Sequence, residues 1–245
     1  MGKVRKLLTS ATKRIVRLRS RPLVVQRRGA LFVLDPQNWI DNRLIAGAPY
    51  ENAQIANAQS LIETHNIDLV VDVGANFGLY TVLLGKLDRI EKVIAFEPVR
   101  QNFAQLMANV FANKLSDKTN AYCLGAWSAE DTATIHIDPK STGVSRLDLT
   151  TTHRAASVFR ASEVISLIPL DTVLDMQGRR VFMKMDIEGA AHHALQGMKN
   201  FLSRNKVFIQ VELVGTEAEQ ARTLLEALRY VQIDRIDSDY IFAPN

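Results

Sequence analysis

The stretch Leu69-Val-Val-Asp-Val-Gly-Ala-Asn-Phe-Gly-Leu-Tyr-Thr81 decides how this chain is read. An apolar run carrying one acid, Asp72, leads into Gly74-Ala75-Asn76-Phe77-Gly78 and then into a helical pattern. That order predicts a buried strand, a glycine turn and a helix. Nineteen residues beyond Gly78, a second run, Lys92-Val-Ile-Ala-Phe, ends on Glu97-Pro98. In an α/β sheet a glycine turn lets the backbone approach a ligand, and an acid ending the next strand accepts hydrogen bonds from ribose hydroxyls. The pair predicts a nucleoside site.

The spacing narrows the choice of nucleoside. A dinucleotide turn wants Gly-x-Gly-x-x-Gly and a P-loop wants Gly-Lys-Ser/Thr; neither is present. Asp72, two residues ahead of the turn, would repel a pyrophosphate but suits a cationic ligand. S-adenosylmethionine fits, because it carries a sulfonium and an ammonium beside an adenosine. The plain alternative is a strand-turn-helix whose glycines only make the bend, and Glu97 at this distance speaks against it.

The rest of the chain agrees. At 245 residues and 47% apolar content it can bury one domain of about 200 residues with an extension. Strand-like runs alternate with helical patterns, which predicts a mostly parallel α/β sheet covered on both faces. One cysteine, Cys123, rules out an internal disulfide and a Cys-rich metal site, and its apolar surroundings place it in a core strand. No apolar run approaches the roughly 18 residues of a membrane span, and no signal-peptide core is present.

The net charge of +4 is unevenly spread. Residues 1–28 hold ten Lys or Arg and no acid, leaving the remainder near −6. Val4, Leu7, Leu8, Ala11, Ile15 and Leu18 fall on one helical face of this arm, with Lys6, Lys13, Arg14 and Arg17 largely elsewhere. A basic amphipathic helix suits an anionic membrane surface, at about 1 kcal/mol per base. An RNA-binding arm, an organellar presequence and a solvated tail compete with that reading; the lack of aromatics before Phe32 weakens the RNA case. The division expected is a basic arm (1–28), a cover segment and helix (29–64) and the cofactor-binding domain (65–245). A cytoplasmic protein, peripheral to the inner face of a membrane, is the matching location.

A second informative segment is Val181-Phe-Met-Lys-Met-Asp-Ile-Glu-Gly189. It delivers Lys184, Asp186 and Glu188 to the carboxyl end of a strand, where α/β sheets bind ligands, and the next strand brings Glu212 to the same edge. Ionisable groups there are costly in a plain core, so they are expected to line a cleft; a structural Lys184 salt bridge is the alternative. Residues 138–162 are polar and aperiodic and contain His153, as a substrate loop or a disordered stretch would. Asp186 and, after it, His153 are candidate proton acceptors for a hydroxyl. Glu188 and Glu212 would orient that hydroxyl, or hold a divalent cation with Asp186; the cation is the less favoured reading. No residue is assigned as a metal ligand.

Asp72-Val-Gly-Ala-Asn-Phe-Gly-Leu-Tyr-Thr, Phe96-Glu97-Pro98 and Lys184-Met-Asp-Ile-Glu-Gly189, in this order, resemble the FkbM-type S-adenosylmethionine-dependent methyltransferases, as does the ending with Glu212, Leu228-Arg-Tyr and Asp239-Tyr-Ile-Phe. The resemblance covers roughly residues 65–243. It implies a class I methyltransferase (Rossmann-like) fold of seven strands, the last antiparallel, and O-methylation of a hydroxyl on a sugar, a glycan or glycolipid, or a polyketide-like molecule. It implies that Asp72, Gly74, Ala75, Asn76 and Gly78 surround the methionine part of the cofactor, that Glu97 holds the ribose, and that Gly125-Ala126 approach the adenine. Asn113 also matches the pattern, with a helix cap as its structural role. One position departs: the family continues Glu-Gly-x-Glu, whereas Glu188-Gly189-Ala190 is followed here by Ala191. A nucleic-acid methyltransferase using the basic arm, and a cofactor-binding homologue without catalysis, are the competing functions.

Overall fold

The computed structural model describes residues 12–145, 147, 156–187, 189–213 and 217–245. Helix α1 covers residues 12–16 and is followed by a hairpin of β1 (Leu23–Arg27) and β2 (Ala30–Leu34), α2 (Trp39–Ile45) and α3 (Asn52–Thr64). The expected boundary between arm and cover, 28/29, therefore falls in the turn of a hairpin. The segment 30–50, whose apolar run punctuated by Pro36 and Pro49 predicts a short strand or hairpin, also contains a helix, α2. Its N-cap is Asn38, whose side chain accepts a hydrogen bond from Ile40 N.

The central sheet runs β11 (Tyr230–Ile236), β12 (Asp239–Pro244), β10 (Lys206–Glu212), β9 (Arg180–Met185), β3 (Leu69–Val73), β4 (Lys92–Phe96), β5 (Thr119–Tyr122). Strand β12 is antiparallel to both neighbours, while β10, β9, β3, β4 and β5 are mutually parallel. This matches the seven-stranded, mostly parallel sheet that the resemblance implies. Every residue of β3 is buried, as a central parallel strand covered on both faces requires. Alternation splits the strands between two cores. Val70, Phe182 and Phe208 pack under α3, α4 (Leu79–Gly85), α5 (Arg100–Ala112) and the hairpin. Leu69, Val71, Val181, Met183, Ile209 and Val211 pack under α6 (Ala191–Gln196), α7 (Lys199–Arg204) and α8 (Glu217–Ala227).

Four local expectations change. The spacing of Leu106, Met107, Val110 and Phe111 predicts that all four face inward; in α5 Leu106 and Val110 do, but Met107 and Phe111 point outward, Phe111 at 78% exposure. Its inner face is instead partly made of amides. Gln105, Asn109 and Asn113, spaced i, i+4, i+8, take up the free edge of β2: Asn113 bonds Leu31 N and O, Asn109 accepts from Val33 N, and Gln105 donates to Val33 O. Asn113 is thus both C-cap and edge clamp. Ala191, Leu195, Met198 and Leu202 have the spacing of one helix face after Gly189, but the structure has two short helices, broken where Gly197 passes so close to Trp127 that a Cβ would lie 1.9 Å from its carbonyl oxygen. Gly125-Ala126 is a short strand, β6, pairing with β8 (Ala161–Ile168), which also pairs with β7 (Asp131–Ile137) in a separate three-stranded sheet. Cys123 follows the end of β5 and is only partly buried, its Sγ 3.7 Å from Pro98 O.

Candidate active site

The glycine turn hangs on the end of β4. Gly74 N and Ala75 N both donate to Phe96 O at 2.9 Å, and Asn76 N donates to Glu97 Oε2 at 2.8 Å. Asn76 adopts the left-handed conformation, which an Asn tolerates. Gly74 has φ +82°, and a Cβ there would sit 2.0 Å from Asp186 O, so the glycine is fixed by the approach of β9. Gly78 has φ +87° and lies against Leu106 of α5. Both glycines are thus accounted for by turn and packing geometry, which also brings the turn's backbone to the carboxyl edge.

Glu97 is buried and accepts from Val99 N (2.9 Å) and Asn102 Nδ2 (3.3 Å) through Oε1, besides Asn76 N through Oε2. An ionised carboxylate has about four acceptor positions, so a ligand hydroxyl still finds room. Burial pushes its pKa up to about 7, against the pull of those three hydrogen bonds. Asp72, also buried, accepts from Thr81 N at 2.9 Å and Thr81 Oγ1 at 2.6 Å, tying β3 to the first turn of α4; burial raises its pKa to about 6. A negative turn region with spare acceptor capacity fits a nucleoside bearing positive charge.

Beside the turn lies a polar row. The register aligns Asp72 with Lys184 and Lys184 with Gln210 on neighbouring strands, all on the α4 face by alternation. Lys184 is 2% exposed, and its Nζ lies 3.1 and 3.2 Å from the two carboxylate oxygens of Asp239 and 3.8 Å from Asp186 Oδ2. Burial works to lower the pKa of this ammonium, but Asp186, Asp239 and Glu51 outweigh it and hold the group above its ordinary value. Gln210 Nε2 bridges Asp239 Oδ2 (2.5 Å) and the Tyr80 hydroxyl (2.9 Å). Ser238 Oγ donates to Glu212 Oε1 at 2.8 Å.

Of these groups Lys184, Asp186, Glu212, Ser238 and Asp239 line a cavity of about 190 Å³ that Trp39, Ile40, Tyr50, Glu51 and Ser141 close from the N-terminal cover and the loop after β7. The cover and loop are joined by Asn38 Nδ2 donating to Thr142 Oγ1 at 2.7 Å, and Gly143 packs on the Asn76 side chain. Glu51 begins α3 with a left-handed backbone, φ 49°, and its Oε2 is buried without a hydrogen-bond partner. Its pKa is raised by burial, with Lys184 pulling the other way, and it sits beside the Tyr50 and Tyr80 hydroxyls. A non-glycine residue held in this conformation is a strain that functional sites tolerate.

Of the residues expected in the site, Lys184, Asp186 and Glu212 line this one cavity. Asp72, the Gly74–Gly78 turn and Glu97 stand next to it across β3 and β4. Gly125 and Ala126 are buried in the β6–β8 pairing, Gly125 packing on Leu167 and Pro98. Glu188 and His153 lie outside the described residues. Ala191, at the departure from the family pattern, is packed in the core under α6. His192 and His193, adjacent on a helix and so expected at its surface, are half-buried: His193 stacks on Trp127 at 4.0 Å, and His192 meets Gln196 at 3.0 Å. Among the described residues no three His, Cys, Asp or Glu converge as metal ligands. Trp39, Tyr50, Glu51, Tyr80 and Asp239 were not legible as site residues. They come from the cover, from α4 and from the last strand, and only the chain's path brings them together.

Comparison with known proteins agrees with the fold. The model of the Methyltransferase FkbM domain matches residues 72–233. No curated protein matches the chain. Among solved structures it is similar to a methyltransferase FkbM from Methylobacillus flagellatus KT, with 19% identity and a TM-score of 0.48 over 73% of this chain; the chain spans only 43% of that protein. It is also similar to a human methyltransferase 10 domain containing protein (11% identity, TM-score 0.50, 99% of this chain and 97% of that one). A protein from Staphylococcus aureus assigned as a caffeoyl-CoA O-methyltransferase gives 10% identity and a TM-score of 0.53, over 83% of this chain and 88% of that one. At such identities these structures speak for the fold alone, whereas the domain match covers most of the chain: it belongs to the FkbM methyltransferase family.

Proposed function

We propose that the chain is an S-adenosylmethionine-dependent O-methyltransferase acting on a hydroxyl of a sugar, a glycan or glycolipid, or a polyketide-like acceptor. The observation that carries this reading is the acid-lined cavity of Asp186, Glu212 and Glu51 beside the Glu97-anchored turn. Glu97 and the backbone of residues 74–78 would hold the nucleoside, with Asp72 adding negative potential behind the turn. The cofactor, when bound, supplies an electrophilic methyl group on a sulfonium. The chain's own part is positioning, which can contribute up to about 7–11 kcal/mol, and removal of the hydroxyl proton. We assign proton uptake to the Asp186 carboxylate, with Glu212 and Glu51 accepting hydrogen bonds from the acceptor's hydroxyls. Lys184 is a positioning charge, since Asp239 and Asp186 enclose its ammonium. The test is release of S-adenosylhomocysteine with a panel of neutral glycans and polyols. Turnover that Asp186→Asn abolishes, without loss of cofactor affinity, supports the reading; turnover only on nucleic acid would overturn it.

The same proposal places α1 on an anionic lipid surface. Residues 12–21 carry Lys13, Arg14, Arg17, Arg19 and Arg21 and no acid. Val16 packs on the domain while Leu18 is 85% exposed and Ile15 is 65% exposed. No helix among the described residues is long and apolar enough to cross a membrane. Sedimentation with phosphatidylglycerol vesicles but not phosphatidylcholine vesicles, lost at high salt, is the expected result; equal partition would overturn it.

A further inference from the structure

Next to the acid-lined cavity lies a second one, of about 300 Å³, lined by Arg17, Gln37, Trp39, Asp138, Lys140 and Ser141. Trp39 and Ser141 border both, so the two are neighbours. Their charges are opposite in kind. The inner cavity gathers Glu51, Asp186, Glu212 and Asp239 around one lysine that is already paired. The outer one presents two cations, Arg17 and Lys140, against one acid, Asp138, whose Oδ1 is engaged by Lys140 N at 2.9 Å.

The outer cavity is built. Gln37 Nε2 donates to Arg17 O (2.6 Å) and Arg19 O (2.8 Å), which fixes the end of α1 and with it the backbone of Arg17. Trp39 N donates to Lys140 O at 2.7 Å, which fixes Lys140 against α2. Ser141, 4% exposed, has a buried Oγ without a hydrogen-bond partner. A buried hydroxyl left unbonded is costly, and here it stands where the two cavities meet.

We propose that the outer cavity is an anion subsite of the acceptor, taking a phosphoryl group while the hydroxyl to be methylated enters the inner cavity. This rests on the proposed function for the inner cavity and adds the substrate class, a phosphorylated sugar or glycan. A guanidinium, an ammonium and a hydroxyl donor suit tetrahedral phosphate oxygens, and the inner acids would repel the same group. The cavities thus impose an orientation, with the neutral polyol end inward and the phosphate end outward. The phosphate could belong to a soluble sugar phosphate or to a lipid-linked headgroup, and exposed Leu18 beside Arg17 brings a lipid surface within reach.

The test is titration of the full chain with inorganic phosphate, glucose and glucose 1-phosphate at constant ionic strength, for wild type, Arg17→Ser/Lys140→Ser and Ser141→Ala. Glucose 1-phosphate is expected to bind about tenfold or more tightly than glucose, with phosphate competing. The double variant should lose that preference, and Ser141→Ala should lose part of it with thermal stability at or above the wild-type value, since the unbonded hydroxyl is removed. S-adenosylhomocysteine affinity, measured on the same samples, should stay at the wild-type value. Equal binding of glucose and its phosphate by wild type, or a preference surviving in the double variant, would overturn the subsite. Absence of S-adenosylhomocysteine binding in wild type would instead strike the cofactor reading, so the two failures are distinct. Vesicles of phosphatidylcholine with and without phosphatidic acid separate the sources: competition by the acidic vesicles against glucose 1-phosphate indicates a lipid headgroup, and its absence with retained sugar phosphate binding indicates a soluble one.

Discussion

Asp239→Ala should be among the most damaging single changes to this protein, although Asp239 opens an edge-side strand far from the glycine turn in sequence. Asp239 is 5% exposed and Lys184 is 2% exposed, and the carboxylate presents both oxygens to the ammonium at 3.1 and 3.2 Å. Removing it leaves Lys184 with Asp186 at 3.8 Å and the Glu51 charge, and takes from Gln210 an acceptor at 2.5 Å. Breaking a buried pair from one side typically costs about 3–5 kcal/mol, because the surviving charge is desolvated without compensation. Asp186 and Glu51 retain part of the attraction, so the lower end, about 3 kcal/mol, is the expected loss. For a domain of this size that corresponds to roughly 6–12 °C in Tm. Lys184→Met combined with Asp239→Leu removes both charges and should recover most of the loss. The assay is denaturant unfolding of Asp239→Ala, of the single variants Asp239→Leu and Lys184→Met, and of their double. If Asp239→Ala costs less than about 1 kcal/mol, or the double variant is no better than the singles combined, the polar row is not the strongly coupled unit described here.

Gly74→Ala should destabilise by more than the roughly 1–3 kcal/mol of left-handed strain alone, since its Cβ would lie 2.0 Å from Asp186 O; a thermal melt within 2 °C of wild type would refute the close approach. Burial raises Asp41 and Asp72 to about 6 and Glu97 to about 7. Between the ordinary carboxylate range and those values the folded chain binds more protons than the unfolded one, so ligand-free stability should rise as pH is lowered from about 8 to about 6. Melting temperatures that fall over that interval would contradict this sign. Glu51→Gln keeps the shape of the side chain but removes its charge; it should lower turnover about tenfold or more while cofactor affinity and fold persist, and unchanged kcat would remove Glu51 from the chemistry.

The sequence showed the parts of this molecule that rest on strand periodicity and on glycine spacing. The apolar runs at β3, β4, β9 and β10 are buried on both faces and so read without ambiguity, and the Asp72-to-Glu97 segment located the turn. What escaped were features set by tertiary partners. Phe111 has the spacing of a core residue but faces solvent, because α5 gives that turn of its inner side to Asn109 and Asn113, which look like surface residues until the open edge of β2 is there to bind them. β1 lay hidden in a basic stretch because only its pairing with β2 makes Leu23-Val-Val-Gln-Arg a strand. Gly125-Ala126 is too short to show a strand period. Asp239 and Glu51 lie 188 residues apart in sequence and gain meaning only through the Lys184 that both face.

The proposed function turns on Glu97 and the turn at 74–78 holding a nucleoside cofactor. It is tested most directly by calorimetric titration of S-adenosylmethionine and S-adenosylhomocysteine into wild type and Glu97→Ala near pH 8, where a carboxylate with a pKa of about 7 is ionised. Folded wild type is expected to bind in the micromolar range, weakening at least about a hundredfold, about 2.7 kcal/mol, in the variant. Binding that is absent in wild type, or equal in both proteins, would contradict it.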